Sequence, residues 1–269
     1  MTDDAGTAQP SFPTSIGTST PTTMSLLGHD MATEILGKVG FGELAMWLMT
    51  GVRPSAGQAR VFETVMAGLA DHGLTPIAIA ARLTLYSAPE SIQGALAAGL
   101  LGGGSRFLGV TEDTGRFLAA ALESAERAPE SDADFDELAR AAVTGARAQG
   151  KLVPGLGHPV HKNGDPRTPV IIAIAEEEGL RGPQLRLFEA IGRVHAEILG
   201  KTLPLTGAGV CGAALADIGV PIALLRGAVL LARCAGLLGH LGEEMRRPIG
   251  EAVYMTVDRH AYYAPDDHS

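Results

Sequence analysis

The sequence predicts an all-α protein, and three observations support that fold class. Apolar residues recur with helical rather than alternating spacing in nearly every long segment. Glycine and proline separate these segments, as in Gly51-Val52-Arg53-Pro54 and Gly73-Leu74-Thr75-Pro76. No two segments show the alternation of a convincing strand pair. The chain has 269 residues and is 46% hydrophobic, which is enough for a large buried core.

The predicted helices follow one another along most of the chain. In order, they span about residues 29–37, 43–50, 56–71, 76–86, 90–101, 111–127, 133–149, 168–179, 183–200, 209–218 and 222–244. Glycine disfavours helix interiors, yet the chain contains 35 glycines. We therefore expect close helix contacts and backbone that approaches a ligand.

Composition suggests one domain between two loose ends. Residues 1–23 are rich in Ser, Thr, Pro and Gly and lack the pattern of a signal peptide, so we expect a disordered leader. The domain is expected over residues 24–262 and a flexible tail over 263–269. The acidic stretch 123–137 is either a solvated connection or a hinge that borders a small lobe within about residues 111–200.

Charge and cysteine content exclude some classes of partner. The formal charge of −9 argues against broad attraction to nucleic acid or anionic lipid. Cys211 and Cys234 give neither a disulfide framework nor the spacing of a metal site, which predicts a cytoplasmic protein without a bound metal. Residues 222–240 have the length of a membrane span, but they contain Arg226 and Arg233. Each would cost about 2.5–3.5 kcal/mol at mid-bilayer depth, so we expect a buried core helix and no membrane partner.

The run Val153-Pro154-Gly155-Leu156-Gly157-His158 is the most informative segment. Its two glycines let backbone N–H groups approach a ligand, and Asp165-Pro166-Arg167 then begins a helix. His158 can donate a hydrogen bond to a carbonyl or oxyanion, and Arg167 can bind a carboxylate through two hydrogen bonds. Taken alone, a glycine-rich turn with one histidine is more often structural.

Two further segments carry candidate ligand-binding groups. Leu69-Ala70-Asp71-His72-Gly73 places His72 at a helix end, either as a binding group or within a C-terminal cap. Arg226, Arg233 and His240 recur every seven residues, which brings them to one helix face. That face is either a positive stripe within an apolar helix or simply the solvent side.

In their order, these segments resemble the citrate synthase superfamily, most closely its citryl-CoA lyase branch and the lyase module of ATP-citrate lyase. P-G-x-G-H followed by D-P-R resembles the family's signature loop, A-D-H-G its histidine segment, and A-R-x-x-G-x-x-x-H its closing helix. Residues 99–107 resemble the G-L-L-x-x-G-x-R-F segment of the lyase module. The resemblance covers roughly residues 25–260 and implies a large helical domain with a smaller helical lobe, assembled as a homodimer or higher homo-oligomer.

The resemblance also implies roles for particular residues. His158 would polarise the substrate carbonyl as the catalytic residue, and His72, Arg167 and Arg233 would bind the substrate. The loop residues implied to contact coenzyme A are Pro154, Gly155, Leu156 and Gly157. No tightly bound cofactor is implied, because the coenzyme A thioester is itself substrate or product. The expected reaction cleaves or forms a C–C bond in a carboxylated hydroxyacyl-CoA, by default citryl-CoA to acetyl-CoA plus oxaloacetate.

Two departures from the family pattern leave other functions open. Gly102 stands where citrate synthases have a histidine that stabilises an enol, although the lyase branch also lacks it. Ala208 stands where the family has an aspartate that transfers a proton. The groups that could replace this aspartate are Asp71, His161, Asp217 and Glu243. The alternatives are an acyl-CoA thioester hydrolase and a catalytically inactive CoA- or carboxylate-binding homologue.

Overall fold

Helices form most of the described chain, which confirms the predicted all-α fold class. A computed structural model describes residues 11–157, 162 and 164–265. They divide after Pro54 into two units. The α-helices are α1 (Phe41–Thr50), α2 (Ala56–Leu69), α3 (Pro76–Ser87), α4 (Ile92–Leu101), α5 (Ser105–Leu108), α6 (Val110–Glu123), α7 (Asp132–Ala148), α8 (Arg167–Glu177), α9 (Pro183–Leu199), α10 (Gly207–Asp217), α11 (Leu225–Arg246) and α12 (Gly250–His260).

The first unit holds a small antiparallel sheet that the sequence did not predict. Its strands are β1 (Gly17–Ser19), β2 (Met24–Leu26) and β3 (His29–Asp30), paired in that order. A π-helical turn, Met31–Ile35, and then α1 follow. The helix predicted over residues 29–37 is therefore wrong in its first part. Strands of two or three residues are too short for alternation to identify them. β1 lies within the predicted leader, and the domain boundaries stay a prediction.

The second unit consists of α2 to α12, with α9 and α10 contributing much of its core. α7 packs along α9, α3 along α4, and α6 along α10. Small residues allow the last contact, because a β-carbon on Gly212 would lie 2.2 Å from the carbonyl oxygen of Thr111. The glycines predicted to permit close helix contacts do so here.

Helix α11 is long and apolar enough to cross a membrane by length and composition, and a third of its most apolar stretch is buried. Its buried face contacts α2, α3, α4 and α6, whereas Leu238 on another face is 47% exposed. The predicted core helix therefore buries one face only. That buried face also carries the charged residues Arg233 and Glu244.

A buried ion network joins the end of α11 to α3 and α12. The Arg82 Nε donates to Glu244 at 2.6 Å, and its Nη1 donates to Glu243 at 2.9 Å. Glu244 also accepts hydrogen bonds from the backbone N–H groups of Ile249 and Gly250. The backbone N–H groups at the start of α12 are thus satisfied by a residue of the preceding helix.

Candidate active site

The glycine loop around residues 153–157 is tied to the segment that leads into α10. The Gly157 N–H donates to the carbonyl oxygen of Pro204 at 2.8 Å, and the Thr206 N–H donates to that of Gly155 at 2.9 Å. Gly155 and Gly157 have φ angles of +80° and +81°, which residues other than glycine rarely adopt. Residue type and backbone bonding together fix the shape of this loop.

Close backbone contact brings α9, α10 and the loop together. A β-carbon on Gly155 would lie 2.6 Å from Cε2 of Phe188, and one on Gly209 would lie 2.7 Å from Cα of Gly155. These two glycines therefore approach protein atoms. The predicted contact of the loop with coenzyme A stays a prediction.

Arg167 begins α8, as the sequence predicted, but its guanidinium already holds a carboxylate of the chain. Nε and Nη2 donate to Asp165 at 2.9 and 2.7 Å, and Nη1 donates to the carbonyl oxygen of Gly68 at 2.9 Å. Asp165 also accepts the Gly207 N–H at 2.7 Å. The Asp165–Arg167 pair thus links the start of α8, the end of α2 and the start of α10.

The electrostatics of this pair favour the ionised form. Burial disfavours the charge on Asp165, but hydrogen bonds from Arg167 and Gly207 outweigh it and hold the pKa of Asp165 well below its usual range. A guanidinium has five N–H groups, and three on Arg167 are used by Asp165 and Gly68. The remaining N–H groups can bind a ligand without breaking this arrangement.

Arg233 on α11 is a buried cation. Its side chain is 6% exposed, and its Nε has no hydrogen-bond partner within the described part of the chain. Burial lowers the pKa of Arg233; the negative charge of Asp71 opposes this effect, and the positive charge of Arg167 adds to it. The two arginines predicted to bind substrate therefore lie within electrostatic range of each other.

Asp71 pairs with His240 beside this cation. The His240 Nε2 lies 2.8 Å from Asp71 Oδ1, and Asp71 Oδ2 accepts the Gly73 N–H at 2.8 Å. Burial opposes the charge on Asp71, but these hydrogen bonds lower its pKa. Helix α2 has Ala70 as its C-cap residue, Gly73 follows three positions later with a φ of +72°, and His72 is exposed in the turn between them.

The seven-residue stripe on α11 is not a solvent face. The side chain of His240 is 11% exposed and Arg233 is buried, while Arg226 forms an ion pair with Glu112 at 2.7 Å. The three side chains of this stripe therefore lie against different parts of the protein. Only its last two members lie beside the Asp71 turn.

The structure separates the four groups considered as replacements for the missing aspartate. Asp217 accepts the N–H groups of Gln184 and Leu185, both at 2.9 Å, and so caps the start of α9. Glu243 is bound to Arg82. His161, like His158, lies outside the described residues. Asp71 is the candidate whose charge acts on Arg233, one of the two arginines predicted to bind substrate.

The two positions that depart from the family pattern lie in different environments. Ala208 is half-buried in the first turn of α10, where its carbonyl oxygen accepts a hydrogen bond from Thr111 at 3.0 Å. Gly102 is exposed just after α4. A cavity of about 550 Å³ opens beside Asp165, and Gly164, Thr168 and Pro204 contribute to its lining. No cluster of three metal-ligating side chains occurs among the described residues.

Sequence reasoning missed the role of Asp165 and treated it as a helix cap. Its two-residue spacing from Arg167 was the available signal, but only the fold shows that the two side chains face each other. His240 was noted for its spacing, whereas its bond to Asp71 joins segments 169 residues apart.

Most of the chain matches a known protein family. Residues 20–251 match the family model for the citrate synthase C-terminal domain. The chain belongs to the citrate synthase family. This finding confirms the family resemblance predicted from the motifs.

Solved structures in the citrate synthase family share the fold. Citryl-CoA lyase from Hydrogenobacter thermophilus has a TM-score of 0.82 at 25% identity, over 96% of each chain. ATP citrate lyase from Methanosaeta concilii, in complex with (3S)-citryl-CoA, has a TM-score of 0.75 at 23% identity, over 96% of this chain and 42% of that one. Citrate synthase from Deinococcus radiodurans is 28% identical over 165 residues. That match covers 58% of this chain and 39% of the relative.

Proposed function

We propose that this member of the citrate synthase family cleaves or forms a C–C bond in a carboxylated hydroxyacyl-CoA, with citryl-CoA as the first substrate to test. The observation that carries the proposal is the buried guanidinium of Arg233 beside the Arg167–Asp165 pair. The fold shared with citryl-CoA lyase at 25% identity supports the choice of substrate.

The Arg233 charge is best explained by an anionic ligand. Its Nε is buried without a hydrogen-bond partner among the described residues, which costs free energy, and a ligand carboxylate that accepts a hydrogen bond from it would remove much of that cost. The chain carries a net charge of −9, so attraction of an anion depends on such local groups. Arg233 and the remaining N–H groups of Arg167 would hold substrate carboxylates.

In the cleavage direction, the substrate hydroxyl becomes the ketone of oxaloacetate and the thioester fragment leaves as an enolate. His158 would hydrogen-bond to the oxygen that becomes a carbonyl, and His72 would bind the substrate from the Asp71 turn. The loop Pro154 to Gly157 would contact coenzyme A. The 550 Å³ cavity beside Asp165 is also lined by Pro204, whose carbonyl oxygen accepts the Gly157 N–H of that loop.

A catalytically inactive binding homologue is the second candidate, and Ala208 is the observation that favours it. Loss of a general acid–base group typically costs about 10²- to 10⁴-fold in rate. A thioester hydrolase is less well supported. Cys211 is fully buried and burial raises the pKa of its thiol to about 12, so it cannot serve as a thiolate nucleophile near neutral pH.

Incubation of the chain with citryl-CoA tests these functions directly. Mass spectrometry would follow acetyl-CoA, oxaloacetate, citrate and free coenzyme A. Equal release of acetyl-CoA and oxaloacetate is expected from the lyase, whereas citrate with free coenzyme A would indicate a hydrolase. Coenzyme A binding without any turnover would contradict the lyase proposal for this substrate.

His158→Ala provides the matched test of the loop. We expect turnover to fall while the circular dichroism spectrum and melting temperature stay unchanged, because the substitution lies in a glycine-rich loop. His260→Ala is the control, since His260 is exposed on α12 and its ring is hydrogen-bonded to the carbonyl oxygen of Thr256 in its own helix. Unchanged activity in His158→Ala would remove that histidine from the mechanism.

We further propose that the chain assembles at least as a homodimer. Helix α11 supports this view because it exposes Leu238 and Met245 to 47% and 62% despite its apolar character. Light scattering coupled to size exclusion should give a mass of at least twice 27.8 kDa. A single species at the monomer mass would contradict the proposal.

A further inference from the structure

The chain retains the binding groups of the site but lacks an aspartate at position 208, so the proton donor and acceptor must lie elsewhere if it turns over. Each carboxylate near the site can be judged by what its oxygens already bind. Asp165 is 3% exposed, and both its oxygens are occupied by Arg167 and Gly207. Asp217 accepts backbone N–H groups at the start of α9, and Glu243 accepts a hydrogen bond from Arg82.

Asp71 differs from these carboxylates in exposure and in neighbours. Its side chain is 53% exposed, although one oxygen contacts His240 and the other accepts the Gly73 N–H. Its charge acts on the buried Arg233. Among the described residues, His240 on α11 bonds to Asp71, Arg233 on α11 interacts with its charge, and the titratable residue His72 is next to it in the chain.

Gly236 explains how α11 comes close enough to form the Asp71–His240 pair. A β-carbon on Gly236 would lie 1.9 Å from the carbonyl oxygen of Ala70, so α11 and the turn touch through their backbones. His240 follows Gly236 by one helical turn and therefore reaches the next residue, Asp71. The Nδ1 atom of His240 is buried without a hydrogen-bond partner in the described part of the chain.

We propose that Asp71 is the proton-transfer group of this site and that His240 positions it. The inference rests on the proposed function. In cleavage, the Asp71 carboxylate accepts the proton of the substrate hydroxyl as that oxygen becomes a ketone. The electron pair of the breaking C–C bond passes to the thioester fragment as an enolate, and the Asp71 carboxylic acid returns the proton to its α-carbon. The Asp71 carboxylate is thereby regenerated in each turnover.

Hydrogen exchange into acetyl-CoA tests this inference without requiring net cleavage. The chain is incubated with acetyl-CoA and oxaloacetate in D₂O, and mass spectrometry follows deuterium in the acetyl group. We expect Asp71→Asn to slow exchange by about 10²- to 10⁴-fold. Coenzyme A affinity should stay within about threefold, since a change of that size is below 1 kcal/mol. Glu243→Gln is the matched carboxylate control and should keep its exchange rate.

Two substitutions of His240 separate positioning from general stability. Glutamine places an N–H donor close to the position of Nε2, so His240→Gln should retain most of the exchange that His240→Ala loses. These variants also keep the test decisive if Asp71→Asn does not fold. Three results would overturn the inference: an unchanged exchange rate in Asp71→Asn, an equal loss of exchange in both His240 variants, or no exchange by the unaltered chain. Exchange without citryl-CoA cleavage would instead contradict the proposed function alone.

Discussion

Gly236 and Ala70 touch through their backbones, at a distance that leaves no room for a side chain. A β-carbon on Gly236 would lie 1.9 Å from the Ala70 carbonyl oxygen. This contact fixes α11 against the end of α2, with Arg233 three residues before it and His240 four residues after it. The approach of two helices therefore sets the position of the cationic part of the site.

Gly236→Ala should destabilise the protein and disturb the site. Because the obstructing atom belongs to the backbone, α11 must shift, and overpacking of this kind costs about 1–3 kcal/mol. Gly239→Ala is the control, since nothing lies within 4 Å of its β-carbon position. It should stabilise the helix by about 0.5–1 kcal/mol. Urea unfolding would measure both changes, and equal behaviour of the two variants would contradict this contact.

Arg233→Met should weaken ligand binding without lowering stability. The substitution removes a buried cation whose Nε has no hydrogen-bond partner among the described residues, so we expect the free energy of unfolding to stay the same or rise. Loss of hydrogen bonds to a charged ligand should cost about 1.5–3 kcal/mol, or about 10- to 150-fold in affinity. Calorimetric titration with oxaloacetate and thermal melting would measure the two effects.

Arg226→Met provides the comparison from the same helix. Arg226 pairs with Glu112 and its side chain is 32% exposed, so stability should fall by less than about 1 kcal/mol and oxaloacetate affinity should not change. A marked loss of stability in Arg233→Met, or equal loss of affinity in both variants, would show that Arg233 is structural.

Gly155→Ala should damage the glycine loop more than Gly157→Ala. Both residues have positive φ angles, so either substitution strains the backbone by about 1–2 kcal/mol. Only at Gly155 would the added carbon also overlap Phe188, at 2.6 Å, whereas at Gly157 its nearest neighbour is Leu203 at 3.6 Å. Melting temperatures should rank the two variants in that order, and a reversed order would contradict the packing described for this loop.

Asp217 should give stability an unusual dependence on pH. Burial is the largest influence on Asp217 and raises its pKa to about 6 from an ordinary value of 3.8. Between pH 3.8 and about 6, the folded protein keeps a proton on Asp217 that the unfolded chain has lost. The stability that Asp217 contributes is therefore fully present below pH 3.8 and is lost as pH rises through about 6. Asp217→Asn should lack this loss. Urea unfolding from pH 4 to 8 would measure the free energy of unfolding of both proteins. The difference between the two values should change mainly below about pH 6.5. A difference that stays constant with pH would contradict the raised pKa of Asp217.

Helical spacing located most of the fold. The helices predicted over 56–71, 76–86, 133–149 and 183–200 agree with α2, α3, α7 and α9 to within about two residues at each end, the usual uncertainty of helix boundaries. α12, whose residues are mostly exposed, was not predicted. The helix predicted over 29–37 was wrong in its first part, because β3 occupies residues 29–30 before the π-helical turn Met31–Ile35.

The sequence by itself determined the helical fold class, the order of the motifs and the residue types that could bind an anion. Those properties depend on local spacing and on side-chain chemistry, which are present in the linear chain. Tertiary structure alone decided which charges are paired: Arg167 is held by Asp165, Asp71 meets His240, and Arg233 is buried beside them. The reason is physical, because pairing and burial arise where distant segments meet, and backbone contacts such as Gly236 with Ala70 determine that meeting.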